Sequence, residues 1–276
     1  MASPATGAAG RIMFSSGGSL RSAILIQPSR LKQGRRPAII VLRAARKQAS
    51  RFQRAFGPED FARSSGAVLV YPEPLSAHWA DAFGPEPNRD MHFVRELITK
   101  LVSHGIANPN KIFLAGIGGG GVLALRLACE GKQKFAGVAV LAASLPQSLE
   151  STCTAPNPVP LLMIQGAGEP PVAPLPSGDY LAHGAPALLP VEETLALFGR
   201  AAGCEAGATT TPVPAKEMHG ARAYIDKLNQ CVVPIEVIRV ESGGHALPGA
   251  KPEAEMGGGA VGSAKLVSDF FRGLGG

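Results

Sequence analysis

Four consecutive glycines, Gly118 to Gly121, stand in the segment IFLAGIGGGGVLALRLACE, between an apolar run and a helix-forming one. Glycines at a strand-to-helix junction allow three kinds of chemistry. A phosphate loop would carry a lysine after them, but Val122 and Leu123 follow Gly121. A G-x-G-x-x-G dinucleotide fingerprint is met only loosely by Gly116, Gly118 and Gly121, and in the fourth apolar run rather than the first. The third possibility is the nucleophile elbow, G-x-S-x-G, a strained turn that presents a serine above the end of a strand. Gly116 and Gly120 answer its demand for flanking residues without side chains, and Gly118 occupies the serine position. Attack on a carbonyl needs an oxygen that an imidazole can deprotonate, and glycine has no side-chain atom. What remains is the backbone N–H of Gly119, a donor toward a developing oxyanion. Ser144 follows a later strand without an elbow around it, so no replacement nucleophile is visible.

The elements that must position this turn are short apolar runs alternating with amphipathic stretches. Ala23 to Pro28, Ala38 to Leu42, Val68 to Pro72, Ile112 to Gly116, Val138 to Ala142, Leu161 to Gly166 and Ile235 to Val240 read as strands. The middle runs are apolar at every position, as strands covered on both faces must be. In DMHFVRELITKLVSHG, Phe93, Val94, Leu97, Ile98, Leu101 and Val102 recur at helical spacing. Asp90 stands where an N-cap belongs, and Gly105 can end the helix. Further helices are expected after Gly121, near Glu192 and in AKLVSDFF. Strand–helix alternation implies right-handed crossovers and a doubly wound, mostly parallel sheet with helices on both faces. The Pro- and Gly-rich stretch Gly168 to Pro190 reads as an excursion over the carboxyl edge of the strands, where such folds bind ligands.

Composition narrows the class. The chain has 276 residues, 45% hydrophobic and 17% charged, which suits a globular domain with a sizeable core. Residues 1–10 read as a flexible tail and 11–276 as a single domain. No apolar run approaches the ~20 residues of a membrane helix. The net charge of +6 is concentrated between Arg30 and Arg54, a stretch without an acidic residue. Phe52 within it and Phe56 just after it are the few aromatics there, so nucleic-acid binding by base stacking has little support. The four cysteines form no C-x-x-C pair, and neither a metal nor a cofactor is expected. Their even number permits two disulfides, which favours an oxidising compartment. The opening MASPATGAAGRIMFSSGG, however, has no apolar stretch behind a basic start and does not read as a secretory leader.

Several blocks in order resemble the poly(3-hydroxybutyrate) depolymerase and feruloyl esterase branch of the α/β-hydrolases. HWADAFG (His78 to Gly84) is similar to that family's N-W-A-D block, and DMHFVRELITKLVSHGIANPNKIFLAG to the helix and strand leading into its elbow. LRLACE, PNPVPLLMIQG and SGGHALPG are similar to its elbow helix, acid strand and histidine loop. The resemblance runs from about Gly10 to the C-terminus and implies an α/β-hydrolase fold, ester hydrolysis and a secreted or periplasmic setting. It implies a histidine at His245, unchanged, and an acid at Glu169 within QGAGEPPV, where the family has Asp. Where the family has G-L-S-N-G-G this chain has Gly118. Where it has H-G-C-G-G in the oxyanion loop, Arg43, Ala44, Ala45, Arg46 and Lys47 stand instead. Trp79 corresponds to a rim or packing residue of the family's substrate site. The resemblance also implies a Cys204–Cys231 bridge. Cys129, ending the elbow helix, and Cys153, preceding a strand that starts at the same end of the sheet, are the second candidate pair.

Three functions compete. The first is an esterase homologue without its nucleophile, whose cleft binds an ester, a polyester or a protein partner. The second is a weak carboxylic-ester hydrolase in which His245 and Glu169 activate water, with Gly119 as oxyanion donor. The third is an anion-binding module using Arg43, Arg46 and Lys47 beside the glycine turn.

Overall fold

The computed structural model describes residues 9–28, 34–42, 62, 64–76, 79, 88–130, 133–153, 157–166, 188–218, 222–241 and 261–275. Its strands are β1 (Ala9–Ser16), β2 (Ser19–Ile26), β3 (Arg36–Leu42), β4 (Val68–Pro72), β5 (Ala107–Ile117), β6 (Gly137–Leu141), β7 (Leu161–Gly166), β8 (Glu205–Pro212), β9 (Ala223–Asn229) and β10 (Ile235–Val240). They form one sheet in the order β1-β2-β4-β3-β5-β6-β7-β10-β9-β8. The central strands β4, β3, β5, β6, β7 and β10 run parallel, and an antiparallel pair closes each flank.

The helices are α1 (Arg89–Ser103), α2 (Gly119–Cys129), α3 (Val191–Ala201) and α4 (Val261–Gly273). The pleat sorts each strand between two cores. Ile40, Leu42, Ile112 and Leu114 join α1, α2 and α3 on one face. Ile39, Val41, Phe113 and Ala115 join Val267 and Phe271 of α4 on the other. Helices therefore cover both faces, which is why Ala38–Leu42, Ile112–Ile117 and Gly137–Leu141 carry no charged or amide residue. Among the described residues no helix is long and apolar enough to cross a membrane.

Three strands lie where the sequence reading has none. β1 begins at Ala9, inside the stretch read as a tail, and turns into β2 through Gly17 and Gly18 at φ 56° and 77°. Positive φ at both central positions makes the tight hairpin turn that glycine pairs favour. β8 and β9 add a polar hairpin beyond β10, and β8 is exposed along its whole length.

The start of α1 also differs from expectation. The N-cap is Asn88, not Asp90, which lies in the first turn and is fully buried. Its carboxylate accepts a hydrogen bond from Nη2 of Arg21 on β2 at 2.5 Å, and the guanidinium carbon sits 3.9 Å from the centre of the Phe93 ring. Arg21 is itself only 2% exposed, and burial lowers its pKa from the ordinary arginine range while Asp90 opposes that shift. The pair fastens the β1–β2 hairpin to α1. Arg21→Met removes the cation beside a buried carboxylate and should cost about 3–5 kcal/mol in denaturant unfolding. Pairing it with Asp90→Leu should recover most of that loss, since neither charge of this buried pair is then left unpartnered.

Both expected disulfides are present. Cys129–Cys153 joins the end of α2 to the approach to β7, and Cys204–Cys231 joins the end of α3 to the turn between β9 and β10.

Candidate functional site

The elbow forms because β5 runs through the sheet's centre and meets glycine at its carboxyl edge. Gly116 is the first requirement. A Cβ there would lie 2.5 Å from the carbonyl oxygen of Gly120 and 2.7 Å from the Cα of Gly121, so any side chain drives strand and helix apart. A second close approach falls at Gly121, where a Cβ would stand 2.5 Å from the Cβ of Ala143. The sequence reading set this demand at Gly116 and Gly120; packing against Ala143 adds Gly121. Gly116→Ala should destabilise the fold by roughly 3 kcal/mol, read as a lowered unfolding midpoint, because the obstacle is backbone that cannot swing aside.

Gly118 is the N-cap of α2 with φ 52° and ψ −124°. Those are the angles of the first central residue of a type II′ turn, a conformation that glycine takes freely and other residues take at a cost. A Cβ at Gly118 meets nothing within 4 Å, so a side chain there would enter open space. The Gly118 N–H donates to the carbonyl of Leu141 at 3.0 Å, and its own carbonyl accepts from Val122 at 2.9 Å, the first bond of the helix. An α-helix leaves its first N–H groups without intrahelical acceptors. Here those of Gly119, Gly120 and Gly121 carry the positive end of the helix dipole, with no acidic residue in the first turn. The arrangement can donate hydrogen bonds to an anionic or carbonyl oxygen.

The turn after β6 supports the elbow from beside it. Ala142 has φ 47°, unusual for a residue with a side chain, and donates its N–H to Ile164 at 3.0 Å. The Ala143 carbonyl accepts from Nε2 of Gln165 at 2.7 Å. Ser144, fully buried, donates to the Leu189 carbonyl at 2.7 Å and lies 2.6 Å from the Thr194 hydroxyl. That hydroxyl in turn accepts from Leu145 N–H at 3.2 Å. None of these partners is legible from spacing, because Ser144 and Thr194 are 50 residues apart.

The other site residues read from sequence divide in two. Trp79 is 5% exposed and packed in the core, in the cluster that holds Phe93 and Val122. Arg43, Ala44, Arg46, Lys47, Glu169 and His245 lie outside the described residues. The strands that lead toward them all end at the elbow's edge of the sheet. Leu42 at the end of β3 pairs with Gly116, and Gly166 at the end of β7 pairs with Val240 at the end of β10.

No protein-family model matches the chain. The protein named Putative esterase NocK, from Nocardia uniformis subsp. tsuyamanensis, is 28% identical over 232 residues. The match spans 78% of this chain and 66%, just under two thirds, of that relative's length. Among solved structures, a thermostable esterase superposes with a TM-score of 0.59 over 96% of this chain and 62% of its own, at 12% identity. LpqC, a poly(3-hydroxybutyrate) depolymerase from Bordetella parapertussis, gives 0.50 over 71% of this chain and 78% of its own, at 15% identity. The chain has the α/β-hydrolase fold. Its sheet runs β1-β2-β4-β3-β5-β6-β7-β10, and the β8–β9 hairpin extends it beyond β10. The likeness in sequence and in structure is to esterases.

Proposed function

We propose that this α/β-hydrolase is an esterase homologue without a serine nucleophile, whose cleft binds an ester-like ligand or a protein partner rather than turning it over. The observation that carries this reading is the backbone of Gly118. It has the left-handed geometry of an elbow residue, at the junction of β5 and α2, and no side chain. The elbow's donors remain in the form of the Gly119 N–H and the helix end behind it. Hydrogen-bond donors and binding alone leave about 10³–10⁴-fold over water in hydrolases stripped of their triad, far below an efficient esterase.

The test is direct. The protein as it stands should take no label from a serine-directed fluorophosphonate and should hydrolyse p-nitrophenyl acetate only at a trace rate. Labelling at ordinary esterase speed, or turnover near the ~10 s⁻¹ common among enzymes, would overturn the reading. Slow turnover abolished by His245→Ala would favour instead water activation by His245 and Glu169.

A further inference from the structure

Ala142 marks a place where the backbone is held against its preference. A left-handed conformation costs an L-residue about 1–2 kcal/mol and persists only where the surroundings over-determine it. Here the surroundings are fully specified. The Ala142 N–H is fixed by Ile164, the Ala143 carbonyl by Gln165, Ser144 by Leu189 and Thr194, and the Leu145 N–H by Thr194. The Leu145 carbonyl accepts from Leu189 N–H at 2.8 Å.

The result of that turn is visible on the elbow. The β5–β6 pairing sets Ile117 beside Leu141, so Gly118 and Ala142 follow just past the ends of adjacent strands, both with positive φ. Leu141 takes the Gly118 N–H, and the turn then brings Ala143 against Gly121 in the first helical turn. The elbow is thus held at both ends from one short segment, by Leu141 and Ala143.

We propose that the turn Ala142–Leu145 is a clamp that keeps Gly118 in its elbow geometry without any ligand, with Gln165 and Thr194 as its positioning residues. Gln165 acts on the elbow through Ala143, and Thr194 through Ser144 and Leu145. Leu189 and Thr194 thus tie the first turn of α3 to this segment. The clamp is independent of whether the site hydrolyses an ester.

The experiment uses the native chain and amide hydrogen exchange followed by NMR. In Gln165→Leu and in Thr194→Val, the Gly118 amide should exchange about tenfold faster, the loss of one buried hydrogen bond worth of local protection. The Leu114 and Val140 amides, in the centre of the sheet, should keep their native rates. Thr194→Ser retains the hydroxyl and should restore the native Gly118 rate. An unchanged Gly118 rate in both variants overturns the proposal. So does an equal rise at Gly118, Leu114 and Val140, which would mean that the residues support only global stability. Should Thr194→Val fail to fold, Gln165→Leu decides alone, since Gln165 is only half-buried.

Discussion

Replacing Cys129 and Cys153 by alanine should lower the stability of the oxidised protein by about 3–4 kcal/mol. The bridge closes a loop of sequence separation 24, and the chain-entropy cost of closing such a loop in the unfolded ensemble has that size. Removing Cys204 and Cys231, with a separation of 27, should cost a similar amount. In a protein of this length that corresponds to roughly 10 °C in the melting temperature for each bridge. The two differ in access. Cys129 and Cys153 are buried in the α1–α2 core, whereas Cys204 and Cys231 are half-buried at the end of α3. A mild reductant should therefore open Cys204–Cys231 first, and mass spectrometry after thiol alkylation should find two modified cysteines before four. Four free thiols in unreduced protein would contradict the pairing. Equal melting temperatures for the oxidised protein and the Cys129→Ala/Cys153→Ala variant would contradict the energetic argument.

How far the sequence carries depends on what each residue's neighbours are. α1 is legible because Phe93, Val94, Leu97, Ile98 and Leu101 repeat at helical spacing and all point into one core. The central strands are legible because both their faces are buried, so β4 and β6 are apolar throughout. β8 escapes for the opposite reason. Every residue of EAGATTTP is exposed, so nothing in it alternates between core and solvent, and its place is fixed only by pairing with β9. β1 had a signal, the Gly17–Gly18 pair flanked by strand-forming residues, which the absence of long apolar runs obscured.

At the site the division is similar. The elbow can be read from Gly116, Gly118 and Gly120, because a local strand–turn–helix junction makes its own demand on local sequence. The demand at Gly121 comes from Ala143, and the role of Asp90 comes from Arg21, 69 residues away. Asp90 has the chemistry of an N-cap, which is why spacing alone assigns it that role. Only tertiary packing shows it to be a buried partner of a cation instead. Such pairings have no expression in a single sequence until the topology is known.

Gly118→Ser should restore a hydroxyl to the elbow at a modest cost in stability. The added side chain meets open space, but serine must adopt φ 52° and ψ −124°, which costs about 1–3 kcal/mol. A rise in melting temperature on this substitution would show that the elbow is not strained for an L-residue. Its effect on turnover depends on more than the nucleophile. On the proposed reading His245 and Glu169 would complete a triad, since α/β-hydrolases use either carboxylate to orient the histidine. The segment Arg43 to Lys47, however, follows the end of β3 beside Gly116 and lacks the glycines that turn a backbone N–H toward an oxyanion. A flexible arginine is a poor substitute for a fixed donor, and losing one such donor costs about 10²–10³ in rate. The single substitution should therefore give measurable but weak hydrolysis of p-nitrophenyl acetate. Adding Arg43→His and Ala44→Gly should raise it by a further factor of about 10²–10³ if the segment is what limits the rate. The three proteins should be compared at one pH and one temperature, well below the lowest melting point. If Gly118→Ser alone reaches the rate of an ordinary esterase, the oxyanion segment is intact and only the nucleophile was missing. If the triple variant is no faster than the single one, the proposed role of the Arg43 to Lys47 segment in limiting the rate is wrong.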